Sequence, residues 1–327
     1  MKRFICSLLP LASLWATVNE PLRGELFSGY RNDRLHWHLQ LPGDGGALTY
    51  SELYRDLQFW ENGLSFKSIH RDLVFYARGS YAAFGKGGTL FQRYADLPFT
   101  SEQPHFTFDP HGWAADATGY FGYAVNLTAD RTYKVIFIPM LGYSAHFERL
   151  IRKQGTPDPS LSNNAVGADS FSMTSSLPQQ LHQTWYGFLI GGGFQVEPGG
   201  RFVLQAGYSY HFLRFTLKTH FENEVALSNE GPILVSDTVT TTKVKASQGG
   251  QHGHTGWAQL DYLFSPFWRL GIGAQIRYFS TAVIDATLSQ QIEPVAPSGA
   301  ATESQFSRKL KLRWTPISGW VQTSREF

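Results

Sequence analysis

An all-β fold, a ten-stranded antiparallel up-and-down transmembrane β-barrel with long outer loops, is what this 327-residue sequence predicts, and three observations predict it. Apolar and polar residues alternate over ten separate stretches, as they do on strands with one face in an apolar medium and the other in a polar one. The connections alternate in length, about 10 to 30 residues after odd-numbered strands and about 3 to 5 after even-numbered ones, as external loops and periplasmic turns do in outer-membrane barrels. Composition agrees: 15% aromatic residues, 32 glycines and a mean hydropathy of -0.23 suit a barrel in which only every second residue meets lipid. A soluble sandwich would also alternate, but it has no reason to sort its loops by parity.

The clearest element is the hairpin of strands eight and nine. Ala258, Leu260, Tyr262 and Phe264 oppose Gln259 and Asp261; after Ser265-Pro266 the second arm sets Trp268, Leu270, Ile272, Ala274, Ile276 and Tyr278 against Arg269, Gly271, Gly273, Gln275 and Arg277. Each arm is about 10 residues with aromatics at its ends, the length and dress of a tilted strand crossing a bilayer.

The remaining strands follow in order. The first spans about Leu26 to Leu41, with Leu35, Trp37, Leu39 and Leu41 opposing His36, His38 and Gln40, and ends at Pro42-Gly43. The second, Leu53 to Ile69, has mixed parity around Trp60 to Leu64, where a bulge is expected. The third runs from Asp72 to Gly85, the fourth from Ala115 to Leu127, the fifth from Tyr133 to Arg149 and the sixth from Thr184 to Val196. The seventh starts at Phe202 and changes phase at Leu213, Phe215 and Leu217, marking either a bulge or the level at which the strand leaves the membrane. The tenth runs from about Lys309 to Phe327, an aromatic end that suits barrel assembly. Polar segments without persuasive periodicity, from Lys86 to His111, Lys153 to Gln180, Asn223 to Gly253 and Ala282 to Ser307, read as outer loops. Strands of 12 to 18 residues exceed the roughly 10 needed to span, so the barrel is expected to project above the outer surface.

The N-terminus, Met1-Lys2-Arg3 followed by an apolar run to Ala16, reads as a signal peptide over residues 1–16, leaving 17–327 as the barrel. Cys6, the only cysteine, leaves with it, which excludes a thiol nucleophile, a disulfide or a cysteine metal site. Removing Lys2 and Arg3 from the 28 basic residues leaves as many bases as the 26 acids, so no nucleic-acid partner is expected. The predicted location is the outer membrane of a Gram-negative-type bacterium, with outer-membrane lipid, lipopolysaccharide included, as a partner; the sequence gives no oligomeric state.

Several strings resemble the omptins, ten-stranded outer-membrane proteases. They are Phe27-Ser28-Gly29-Tyr30-Arg31-Asn32-Asp33-Arg34, Tyr50-Ser51-Glu52-Leu53, and Gly79-Ser80-Tyr81-Ala82-Ala83-Phe84-Gly85-Lys86-Gly87-Gly88. Length and style are also similar to the omptin-like outer-membrane proteins of chlamydia-related bacteria, a family that includes porins. The omptin resemblance implies an aspartate pair just after the Gly-Gly and an Asp-x-His in the fourth outer loop, together activating a water for peptide hydrolysis. Those positions fall on Gln92 and Tyr94, and on Lys218 and His220. His220 alone matches, beside an ammonium where the chemistry needs a carboxylate. It is the one residual catalytic candidate, with Asp96, Asp109 and Glu222 as carboxylates that another register would bring in.

If the aromatic faces meet lipid, Arg78, Lys134, Asp261, Arg269, Gln275 and Arg277 line the lumen, with Gln195, Gln205, Gln259, Asp116 and Glu148 beside them. Such a lining predicts a passive, porin-like channel for small solutes, leaning towards anions. Two alternatives stay open: inward arginines and acids pair and fill a narrow barrel, giving a non-conducting surface or adhesive protein, or the chain is an omptin-type endopeptidase. His252-x-His254 could face a metal to one side of a strand but lacks an adjacent third ligand, so the pair reads as two loop histidines and no metal or other cofactor is expected. Gly271-x-Gly273 lies inside a strand with no helix after it, so it relieves lumenal crowding and is not a phosphate loop.

Overall fold

The computed structural model describes residues 22–41, 48–86, 89–95, 106–108, 110–128, 133–152, 156–157, 179–198, 200–223, 225–228, 231–234, 238–294 and 301–327. The expected signal peptide, Asp96 and Asp109 lie outside them.

Ten long strands form the wall: β1 (Leu22–Leu41), β2 (Leu48–His70), β3 (Leu73–Lys86), β4 (Pro110–Tyr123), β5 (Lys134–Arg152), β6 (Gln179–Glu197), β7 (Phe202–Asn223), β8 (Thr238–Leu263), β9 (Trp268–Ser280) and β10 (Thr302–Glu326). Each pairs antiparallel with its neighbours in sequence, and β1 pairs with both β2 and β10, closing the ring. Thr89–Ala95 continues β3 against β2, and Ile284–Pro294 continues β9 between β8 and β10. All ten expected strands are present. The structure extends them upward into segments whose polar composition predicts loops, most of all in β8, which begins 20 residues before Ala258.

The lower half carries the alternation that defines a lipid-facing wall. Leu26, Leu64, Phe121, Leu141, Phe188, Leu204, Ile272 and Val321 point outward and are exposed. Tyr30, Trp60, Tyr81, Tyr143 and Tyr278 fringe this band above, and Tyr123, Phe202, Phe264, Trp268 and Phe327 fringe it below. The band spans about 9 to 11 residues per strand, the bilayer requirement.

Above the band the pattern inverts, and one expectation is corrected. The apolar face of β1, expected to meet lipid, is the inner face: Leu35, Trp37 and Leu39 are fully buried, while His36 and His38 point outward. With water outside, the apolar side chains gain by turning inward. The same rule explains β7. From Val203 to Thr219 its odd-numbered residues face inward, so the phase change at Leu213, Phe215 and Leu217 marks the strand leaving the membrane.

Three register slips accompany the transition. Between β1 and β2 the register slips at Asp33/Leu35, opposite Asp56 with φ 56°, and between β2 and β3 it slips at Gln58/Phe59, so the irregularity expected around Trp60 to Leu64 lies just before that stretch. Between β7 and β8 it slips at Leu213/Phe215, opposite Gly250, whose φ of 76° glycine adopts without steric cost. At the periplasmic end β2 and β3 join through Arg71 and Asp72 alone, both at positive φ, the tight turn that matches strand twist.

Candidate functional site

Strand parity assembles the lumen in layers. On β1 the inward residues run Arg23, Glu25, Phe27, Arg31 and Asp33, then Leu35, Trp37 and Leu39: charge below, apolar above.

The floor lies near the periplasmic ends. Arg23 pairs with Glu25 at 2.6 Å and with Asp261 at 2.9 Å. Asp261, fully buried, also accepts hydrogen bonds from Gln205, Gln259 and Gln322 at 3.1, 3.0 and 2.9 Å. Lys67 Nζ donates to the Gln195 side-chain oxygen at 3.0 Å and reaches that of Gln205 at 3.5 Å.

A second charged layer sits under the apolar zone. Arg31 donates from Nε and Nη2 to the two oxygens of Asp33 at 2.7 and 2.6 Å, and from Nη1 to Asp116 at 2.7 Å. Arg277 donates to the same Asp116 oxygen at 2.6 Å, and Trp314 Nε1 donates to Asp33 at 3.1 Å. This bidentate, shared geometry is what lets buried charges offset their desolvation. His146 Nδ1 lies 2.9 Å from the other Asp116 oxygen, so it carries the proton and leaves Nε2 as the free nitrogen, buried and without a partner among the described residues.

Between the two layers is a cavity of about 70 Å³, lined among others by Glu25, Lys67, Arg78, His146, Thr255 and Arg277. Arg78 enters it clamped between rings, its guanidinium carbon 3.9 Å from the Phe27 centroid and 4.2 Å from that of Trp320. Glycines make room for both rings: a Cβ on Gly63 would meet Phe27 at 2.2 Å, and one on Gly273 would meet Trp320 at 2.4 Å. The expected crowding relief by inward glycines has this specific form.

Above the second layer the lumen is filled. Trp185 lies 4.4 Å from Phe215 and 5.7 Å from Phe279, and Phe279 lies 5.3 Å from Trp314, centroid to centroid. Leu35, Trp37, Leu39, Leu57, Phe59, Leu217, Leu310 and Leu312 complete one continuous buried cluster.

Of the expected lining residues, Arg78, Gln275 and Arg277 border the cavity, with Arg277 also donating to Gln275 at 2.8 Å. Asp261 belongs to the floor, Arg269 pairs with Glu326 at 3.1 Å at its edge, and Lys134 is exposed at the periplasmic end, away from the cavity. Above the charged layers most inward positions are apolar, with Glu52, Glu148, Gln183, Thr242 and Gln290 buried among them.

His220 and Lys218 point outward from β7, with Lys243 and Lys245 opposite them on β8 and Gln180 and His182 on β6. Gln92 and Tyr94 lie on the strand Thr89–Ala95, against Glu52 and Tyr50 of β2. His252 and His254 are on β8, not in a loop, and point outward at Tyr210 and Tyr208, whose hydroxyls lie 2.6 and 2.5 Å from their Nδ1 atoms. No group of three or more metal-ligating side chains occurs among the described residues.

Arg31 and Asp33 were missed as lumenal residues. Their parity is that of Leu35 and Trp37, so they were readable once the inner face of β1 was known.

A closed antiparallel ring with an apolar belt, aromatic fringes and a charged interior at belt level defines a β-barrel of the outer membrane, and the comparisons agree. The family described as Pom, Protochlamydia outer membrane protein, matches residues 25–305, and the chain belongs to that family. No curated protein matches it in sequence. Among solved structures, the outer membrane protease OmpT from Escherichia coli is 10% identical with a TM-score of 0.62, over 95% of this chain and 99% of that one. That likeness concerns the fold. The translocator domain of the autotransporter NalP from Neisseria meningitidis is 12% identical with a TM-score of 0.31, over 100% of this chain and 95% of that one. The P. putida toluene transporter TodX is 12% identical with a TM-score of 0.28, over 97% and 92%.

Proposed function

We propose that this outer-membrane barrel is a closed platform that carries its outer loops at the cell surface and does not conduct solutes in this conformation. The observation that supports it is the apolar cluster from Leu35 to Trp314, which occupies the lumen above the charged layers. Hydrated solutes would have to part fully buried rings and aliphatic chains, whose burial is worth about 1.5–3 kcal/mol each. Ten strands enclose little more than their own side chains, so the charged layers pair with themselves instead of lining a path.

A passive channel for small solutes is the second reading, favoured by the cavity between the two charged layers and the cations that border it. Single-channel recording of refolded protein in planar bilayers separates the two. Silence is expected from correctly folded barrels; steady conductance would replace the platform with the channel. The outer wall supports a lipid partner as well: Arg34, Arg55, Lys309 and Arg313 project outward from the β10–β1–β2 face above the apolar belt, at the level of anionic headgroups such as lipopolysaccharide phosphates.

A further inference from the structure

We propose that the lumenal cavity is a binding site for a small monovalent anion, of halide or formate size, held on the free edge of Arg78. Phe27 and Trp320 fix the guanidinium plane, yet its Nε and Nη2 are buried and donate to nothing. No ion pair involving Arg78 occurs among the described residues, because the nearby carboxylates are already engaged. Glu25 serves Arg23 and Ser65; Asp116 serves Arg31, Arg277 and His146.

Among the described residues Lys67, on the same cavity, meets only the amide oxygens of Gln195 and Gln205. Thr255, only 5% exposed, adds a hydroxyl with no partner, free to donate. Two cations and a hydroxyl thus border a void whose own carboxylates, Glu25 and Asp116, are committed to other donors. A buried charge left in that state is costly, and water would satisfy its hydrogen bonds but not its charge. The cavity volume of about 70 Å³ leaves room for a dehydrated halide or one of the smallest carboxylates.

The test uses the refolded full chain. Crystals grown in sodium bromide are expected to show an anomalous bromine peak within hydrogen-bonding reach of Arg78 Nε and Nη2. In detergent, exchanging gluconate for chloride at equal ionic strength is expected to raise the melting temperature by about 2 °C or more at saturation. Arg78→Gln should abolish that shift, and Gly273→Ala, which displaces Trp320 from the clamp, should reduce it. A cavity holding only waters in the bromide crystals, or bromine only on the barrel exterior, overturns the proposal. So does a melting temperature that ignores the halide in the wild-type protein. The two wild-type measurements decide the matter even if Arg78→Gln fails to fold.

Discussion

Arg31 shows how one side chain can hold two layers of a barrel together. Its guanidinium satisfies Asp33 with a two-pronged bond and Asp116 with a third, while Phe59 and Trp314 cover it at 5.8 and 5.3 Å. Both Asp33 and Asp116 are buried, and Asp116 keeps Arg277 if Arg31 is lost, but Asp33 keeps only Trp314. Arg31→Met should therefore lower the unfolding free energy by about 3–5 kcal/mol, the cost of orphaning a buried charge, as read from urea titration of the refolded protein. The comparison is Lys309→Met. Lys309 pairs with Asp285 at 2.7 Å, but both side chains are more than half exposed, so about 1 kcal/mol or less is at stake. Equal losses in the two variants would show that the Arg31 layer is no more desolvated than the outer wall.

Each strand reads as two elements joined end to end, apolar outward below and apolar inward above, and tryptophans report which is which. Trp60 and Trp268 face outward in the belt at 56% and 39% exposure, whereas Trp185 is fully buried in the outer cluster. In vesicles of lipid brominated along the acyl chains, fluorescence quenching should fall sharply in a Trp60→Phe/Trp268→Phe double variant and stay unchanged in Trp185→Phe. Quenching that survives the double replacement would place the belt elsewhere. This division also decides what the sequence could disclose. The β8–β9 hairpin was legible because large apolar residues alternate with arginine and glutamine at belt level. On β1 the alternation of Leu35, Trp37 and Leu39 was equally plain, but it says only that two faces differ, not which one is inside; that sign depends on depth. The upper half of β8 was illegible for another reason: inward Thr242, Val244 and Ala246 are small, and Lys243 and Lys245 beside them made the stretch read as a polar loop. The charged layers were half legible, since Arg31 and Asp33 share a face two residues apart, while their meeting with Asp116 requires the closed ring.

At the scale of the whole molecule the belt lies at one end of a tall cylinder. On β10 the outward apolar residues end near Ile317, leaving the stretch from Thr302 to Pro316 above them, and below the belt the strands meet in turns as short as Arg71-Asp72. Roughly 15 residues rising about 3.3 Å each and tilted 35–45° stand about 35–40 Å above the bilayer, before any loop is added. The apolar cluster is what permits that height, because a wall in water on both faces would have no burial to hold it, whereas this one packs Trp37, Trp185 and Trp314 across its own axis. Atomic force microscopy of barrels reconstituted in supported bilayers should therefore find a lopsided profile, with protrusions of about 35 Å or more on one side and only a few ångströms on the other. Mild proteolysis from the tall side should trim the loops and leave most of that height, since the strands beneath are cored. A symmetric profile, or collapse of the tall side once the loops are cut, would mean that the upper strands lack the packed interior that makes them a continuation of the barrel.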